Sequence, residues 1–352
     1  MSSDPGSTPA RGELIPAITA RNRRFRLAIG LLIGAGAIYA VVSSAGGFGD
    51  SWDALRAARP GWIFGGALCE AVSYVALGLL LRQLVGEGID RVTAVRLGLV
   101  VSGLGNILPA APAEGVTMAG AELRRRGVDA HRTWISLGLL QWYWVRTLFA
   151  VAALDALVVV AATSRRYTDG GPGRLVIVGA AIAILFVLAA TAWIASRRQT
   201  MELVAVVVGK LQWRRRARPR IDRRAQGATW HAEIHGVLGS RTSHVVIIAL
   251  AAASCLADAA CFRCAVSAVG VHLSPGLFLF AYAVGMITTL VPFVPNGLGV
   301  VEVVVPALLH HAGVPLATAL AGVLAFRALG TLLPAVCGAI ALVHLRLAHT
   351  SA

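Results

Sequence analysis

Formal charge is almost absent from long stretches of this sequence. From Cys264 to Leu345 the only formally charged residues are Glu302 and Arg327. Charged residues make up 14% of the 352 residues and hydrophobic residues 57%, with a mean hydropathy of +0.73. A soluble domain of this length would show polar helix faces, whereas about 20 apolar residues suffice to cross the hydrocarbon core. The composition therefore excludes a soluble globular protein and indicates a polytopic membrane protein.

The sequence also lacks the motifs of the common enzyme classes. No G-x-S-x-G, P-loop or Rossmann glycine pattern occurs, and the histidines are dispersed. The five cysteines lie in apolar segments, and the pair Cys261 and Cys264 has no second C-x-x-C partner, which favours a packing role. We expect no enzyme activity, no catalytic residues, no metal site and no cofactor.

Positive charge is abundant and forms two dense clusters. The net charge is +15, and 14 of the 31 arginines lie in the N-terminal stretch Arg21–Arg26 and in the loop Arg197–Arg241. Such clusters flank membrane spans on the cytosolic side and contact anionic headgroups. Because no folded domain remains to carry it, we exclude nucleic-acid binding. The N-terminus and the basic 197–242 loop are predicted to be cytosolic, the loop being a candidate docking surface for a protein partner.

Apolar runs divide the chain into one membrane domain with short tails. Residues 1–24 predict a disordered cytosolic tail, 25–346 a single transmembrane domain and 347–352 a C-terminal tail. The first run is longer than the apolar core of a signal peptide, so it is interpreted as an uncleaved helix. Full spans are expected near residues 27–47, 61–81, 133–162, 174–196, 243–270 and 314–345.

Two further apolar segments, about 92–122 and 275–312, are broken by proline and glycine. Both contain a P-x-x-P and both precede a long apolar helix with one arginine, Arg146 or Arg327. The breaking residues are Pro109 and Pro112 in the first segment, and Pro292, Pro295, Asn296, Gly297 and Gly299 in the second. A full crossing by the first segment would place Arg124–Arg126 outside, against the positive-inside rule. We therefore predict re-entrant segments that enter from opposite faces, as in an inverted repeat.

The predicted fold is an all-α polytopic membrane protein with about six full transmembrane helices plus two re-entrant hairpins. The repeat halves are about 61–196 and 243–345. The non-helical backbone of the breaks must be buried or must line a wet cavity, and its free N–H groups can bind an anion. The alternative is a simple kink between packed helices.

Ionisable residues at membrane depth are costly and often functional. The candidates are Glu70, Glu114, Arg146, Asp155, Asp258, Arg263, Glu302 and Arg327. Asp155 and Arg263 lie near span ends, from which they can reach the interface. Glu70, Glu302 and Arg327 are isolated in apolar surroundings, and the repeat makes Glu114 and Arg146 counterparts of Glu302 and Arg327. The predicted lipid- or substrate-binding residues are thus Glu70, Glu114, Arg146, Glu302 and Arg327; the alternative is structural charge pairs that hold helices together.

The C-terminal pattern resembles a known family. Pro292-x-x-Pro295-x-Gly297-x-Gly299-x-x-Glu302, followed by Gly313-Val314, Arg327 and Pro334, is similar to the signature of the lysylphosphatidylglycerol synthase transmembrane region, a flippase-like bacterial family. In the first half, Asn106-x-x-Pro109, Glu114, Leu123, Gly127 and Arg146 are also similar. Ala111 and Ala113 depart from the family, which commonly shows an arginine and a glycine there.

The resemblance implies translocation of a phospholipid, or of another lipid-linked amphiphile, between leaflets of the bacterial cytoplasmic membrane. Some members append a soluble domain that transfers lysine from its tRNA to phosphatidylglycerol; because this chain ends at Ala352, we expect only the translocating part. The implied partners are membrane lipids, anionic or aminoacylated. Two alternatives stay open: a non-transporting scaffold that binds partners, and a secondary transporter of a small solute.

Overall fold

The structure, a computed structural model, describes residues 48–86, 88–107, 113–163, 232, 234, 236, 241–289 and 295–350. No strand occurs among these residues. The α-helices are α1 (Phe48–Arg56), α2 (Pro60–Val85), α3 (Arg91–Gly98), α4 (Ala113–Arg125), α5 (Ala130–Thr163), α6 (Arg241–Ala268), α7 (Pro275–Thr288), α8 (Val301–His311), α9 (Leu316–Arg327) and α10 (Leu333–Thr350).

Four helices in the described ranges are long and apolar enough to cross a membrane. They comprise α2, most of α5, α6 and a rod in which α9 continues through the π-helical segment Ala328–Leu332 into α10. The 26 residues of α2 extend about 39 Å, which exceeds the hydrocarbon thickness of about 30 Å. The spans predicted near 61–81, 133–162, 243–270 and 314–345 are therefore confirmed as apolar helices. The predicted spans 27–47 and 174–196, the tail 1–24 and nearly all of the basic loop lie outside the described residues, so the count of six stays a prediction.

Both segments predicted to be broken are broken in the structure. In the first, α3 continues through the π-helical segment Leu99–Leu104 and the 3-10 turn Gly105–Ile107, and α4 packs back against the π-helical segment. In the second, α7 and α8 pack together on either side of the 3-10 turn Pro295–Gly297. With 14 and 11 residues, α7 and α8 extend about 21 and about 17 Å, too short to span the membrane alone. Their inverted relationship stays a prediction, and Pro109, Pro112 and Pro292 lie outside the described residues.

Local sequence explains where these helices begin. Asp90 precedes α3 and accepts hydrogen bonds from the backbone N–H groups of Val92 and Thr93, both at 3.1 Å. The side chain and then the backbone N–H of Thr93 hold the pKa of Asp90 below its ordinary value. Ser274 caps α7, whose first residue is Pro275. Each broken segment thus starts with a defined cap.

Close helix packing surrounds the breaks. α2 and α6 pack along each other, and the Ser73 hydroxyl donates to the Ser254 carbonyl oxygen at 3.0 Å. The first π-helical segment packs against α10, where a Cβ on Gly103 would lie 2.4 Å from the carbonyl oxygen of Pro334. Small residues permit such backbone approach between membrane helices. The first break is consequently held against the C-terminal rod.

Candidate functional site

The second break is built from backbone that only a few residue types adopt. Asn296 has a φ of 47°, Gly297 of 62° and Gly299 of 85°, all in the left-handed region. Asparagine and glycine are the residues that enter this region most readily. A Cβ on Gly297 would also lie 3.0 Å from the Cα of Thr289, so a side chain there would press against neighbouring backbone. The sequence Asn296-Gly297-Leu298-Gly299 therefore dictates a tight reversal before α8.

Arg327 and Glu302 brace this reversal. The Nε of Arg327 donates to Oε1 of Glu302 at 2.7 Å, and a terminal guanidinium nitrogen donates to the carbonyl oxygen of Asn296 at 2.7 Å. Oε2 of Glu302 accepts from the backbone N–H of Gly299 at 2.7 Å. Glu302 is 6% and Arg327 8% exposed. Both oxygens of the buried carboxylate are thereby satisfied, as a charge at membrane depth requires.

A cavity of about 210 Å³ lies beside this brace. Both broken segments contribute polar residues to its wall, Ser102 and Asn106 from the first and Thr289 and Asn296 from the second. The two 3-10 turns also contact each other. At about 30 Å³ per water molecule, the volume holds several waters or a small headgroup. The breaks therefore meet at one chamber between the apolar helices, and several polar side chains line it.

The opposite wall of the cavity is acidic. Glu70 on α2 and Asp258 on α6 interact with each other, and both line the cavity. The hydroxyl of Tyr282 on α7 donates to Oδ2 of Asp258 at 2.7 Å. One chamber thus joins a carboxyl pair, made of the buried Glu70 and the partly buried Asp258, to the braced arginine, Arg327.

Glu114 and Arg146 in the first half are not arranged like Glu302 and Arg327 in the second half. The guanidinium of Arg146 lies 5.0 Å from the ring centroid of Trp142, a cation–π contact. Glu114 lies in the first turn of α4. Among the described residues that line the cavity, neither Glu114 nor Arg146 is present. Of the five predicted binding residues, Glu70 and Arg327 line the chamber. Glu302 contacts Arg327 and holds it in place.

Sequence reasoning named Asp258 as an ionisable candidate but left it out of the predicted binding residues, together with several uncharged polar residues of the chamber. Asp258 is the only formally charged residue between Arg241 and Arg263, a signal as clear as that of Glu70. Ser102, Asn106 and Thr331 carry no comparable signal, because uncharged polar residues are frequent in membrane helices. Asp155, which is expected near a span end, is buried among the described helices with 5% exposure; its depth in the membrane stays a prediction.

The family model of the lysylphosphatidylglycerol synthase TM region matches residues 27–338. The chain belongs to this family. The match spans both broken segments and every residue assigned to the cavity. It agrees with the resemblance carried by the proline, glycine and glutamate pattern around the second break. No curated protein matches the sequence significantly. The chain is thus a multi-pass membrane protein of the lysylphosphatidylglycerol synthase TM family.

Proposed function

We propose that this protein translocates a phospholipid, or another lipid-linked amphiphile, between the two leaflets of the membrane. The observation that carries the proposal is the cavity with polar and charged side chains in its wall at the meeting point of two broken segments. Broken helices at membrane depth supply free backbone groups for polar ligands, and in many transporters they form the binding site. A headgroup needs such a polar path, whereas its acyl chains can remain in the bilayer.

Arg327 is the residue best placed to attract a headgroup phosphate. An arginine has five N–H donors. Three of them are assigned, to Glu302, to the Asn296 carbonyl and, at 3.5 Å, to the hydroxyl of Thr331. The remaining donors belong to a guanidinium that lines the cavity. Arginine combines a delocalised charge with a planar fork that matches phosphate.

The proposal places the chain in the bacterial cytoplasmic membrane with its N-terminus and basic loop in the cytosol. The arginine clusters support this orientation through the positive-inside rule. It assigns transport without a chemical reaction or ATP hydrolysis. A small polar solute is the second candidate cargo, because a chamber of about 210 Å³ accommodates one as readily as a headgroup.

Reconstituted liposomes test the proposal directly. A membrane-impermeant quencher destroys the outer-leaflet fluorescence of labelled phospholipids, and loss of the protected inner-leaflet signal then reports translocation. We compare the native chain with Asn106→Leu, which removes an amide from the cavity. Losing one hydrogen bond to a charged headgroup costs about 1.5–3 kcal/mol, so the rate should fall at least about tenfold.

Val72→Phe is the matched control, since Val72 is exposed on α2 and the change adds apolar bulk outside the cavity. It should translocate lipid at the native rate. If native and protein-free liposomes keep the same protected signal with several headgroups at matched incorporation, lipid translocation is contradicted. Uptake of a labelled solute under those conditions would favour the second candidate, and inactivity towards both would favour the scaffold.

A further inference from the structure

The acidic wall of the cavity contains a carboxylate that its surroundings do not satisfy. Glu70 is 4% exposed, and its buried Oε2 has no hydrogen-bond partner among the described residues. The neighbouring Asp258 brings a second carboxyl group to the same wall. Cys261 supplies only a weak thiol donor to Glu70, so one carboxylate oxygen stays unpartnered. Such an oxygen is costly when buried, and a bound proton or small cation lowers that cost. The cluster and the unpartnered oxygen therefore both indicate a cationic ligand.

The groups around this pair supply no positive charge of their own. The titratable side chains that face it, or face its neighbour Tyr74, are Cys69 and Tyr74 on α2, Cys255 and Cys261 on α6, Tyr282 on α7 and Cys337 on α10. Thiols and phenols are neutral near pH 7. Among the described cavity-lining residues Arg327 is the only lysine or arginine, and it is bound to Glu302. The negative charge of the carboxyl pair therefore has to be neutralised by a proton or cation that enters through the cavity.

We infer that Glu70 and Asp258 form a proton-binding site that couples translocation to the proton gradient across the membrane. Two adjacent carboxylates repel each other, and one shared proton reduces their charge from −2 to −1. The proton comes from water reaching the cavity on one side and leaves to water on the other. No bond besides the O–H bond forms or breaks.

Electrostatics links this site to the cargo. The inference rests on the proposed function, because the pair and the headgroup would occupy one chamber. In a chamber surrounded by protein, charges a few ångströms apart interact more strongly than they do in bulk water. The singly charged pair repels a phosphate less than the doubly charged pair does. Protonation therefore favours entry of an anionic headgroup, and release of the proton favours its exit.

Infrared difference spectroscopy of the purified protein tests proton binding without any transport. A protonated carboxyl group has a C=O stretch distinct from that of a carboxylate and sensitive to deuterium. We expect this band in native minus Glu70→Gln and native minus Asp258→Asn spectra, with a loss of intensity as the pH rises. Asp155 is another buried carboxyl group with an unpartnered oxygen. It is present in all three proteins, so its absorption cancels in the difference spectra.

The liposome assay with an imposed pH gradient tests coupling. Native protein should translocate lipid faster with a gradient of one polarity than at symmetric pH, and Glu70→Gln and Asp258→Asn should lose this response. Asp155→Asn should retain it, because Asp155 does not belong to the described cavity wall. Thermal melts in detergent establish that each variant is folded. In the infrared experiment, Asp258→Glu keeps the carboxyl group and should therefore retain the band.

The outcomes separate the inference from the proposed function. Translocation that ignores the gradient, or native spectra without the band, overturns the inference and leaves lipid translocation standing. The band without lipid translocation contradicts the function and the coupling, but retains a proton site. Stimulation by a sodium gradient at fixed pH, lost in Glu70→Gln, would also overturn the inference, since the site would then bind Na⁺ instead of a proton.

Discussion

Arg327 has two roles at the scale of a single residue, and substitutions can separate them. It braces the second break through Glu302 and the Asn296 carbonyl, and it presents positive charge to the cavity. Arg327→Met leaves the carboxylate of Glu302 buried without its partner, which should cost about 3–5 kcal/mol of stability. In Arg327→Met with Glu302→Gln the buried charge is gone, and the glutamine oxygen can still accept from Gly299. We expect thermal melts in detergent to show recovery of stability in the double variant while liposome translocation remains lost.

Arg263→Met provides the control for that comparison. Arg263 is exposed on α6 and contacts the ring of Phe278 at 5.2 Å. An exposed cation–π contact contributes about 0.5–1 kcal/mol, so this variant should lose little stability and keep translocation. Full translocation by the double variant would contradict a direct role of the Arg327 charge.

At the scale of elements, the second break depends on backbone that a side chain would strain. Gly297→Ala introduces a Cβ at a φ of 62° and within 3.0 Å of the Thr289 Cα. The left-handed conformation alone costs about 1–2 kcal/mol. We expect a lower melting temperature and slower translocation, because the turn also positions Asn296 in the cavity wall. Both are measured on protein purified under identical conditions.

Gly138→Ala is the opposite case and serves as the control. Gly138 lies within α5, and a Cβ there would meet nothing within 4 Å. Alanine is favoured over glycine in a helix by about 1 kcal/mol, so the melting temperature should stay equal or rise. An equal loss in both variants would show that the left-handed turn contributes nothing specific.

The elements were largely predictable from the sequence, whereas the chamber was only partly so. Apolar runs and their Pro/Gly interruptions are local signals, and they located four spans and both breaks. The pairing of Glu70 with Asp258 depends on how α2 packs against α6, which no local pattern encodes. The π-helical segments at Leu99–Leu104 and Ala328–Leu332 were not predicted, because the apolar pattern is the same for an α-helix and a π-helical turn.

At the scale of the whole molecule, the two breaks form one contact across the cavity although they lie far apart in the chain. The turn Gly105–Ile107 contacts the turn Pro295–Gly297, and Asn106 and Asn296 both line the chamber. A cargo that passes from one leaflet to the other needs these segments to separate in turn towards each face. A short thiol cross-linker between Asn106→Cys and Asn296→Cys, with the native cysteines replaced by alanine, should therefore stop translocation. When reductant is added, a reducible linker should restore the rate of the uncross-linked double variant, which is below the native rate because the Asn106 amide is missing.

A cross-link within a permanently packed pair of helices distinguishes this effect from general rigidification. A Cβ on Gly65 of α2 would lie 3.8 Å from Sγ of Cys264 on α6. Because α2 and α6 pack along their lengths, linking Gly65→Cys to the retained Cys264 restrains helices that already move together. That protein should translocate lipid at the rate of its uncross-linked form. Equal inhibition by both links would show that the transport step requires α2 and α6 to separate, and unimpeded transport with the breaks linked would show that cargo passes without their separation.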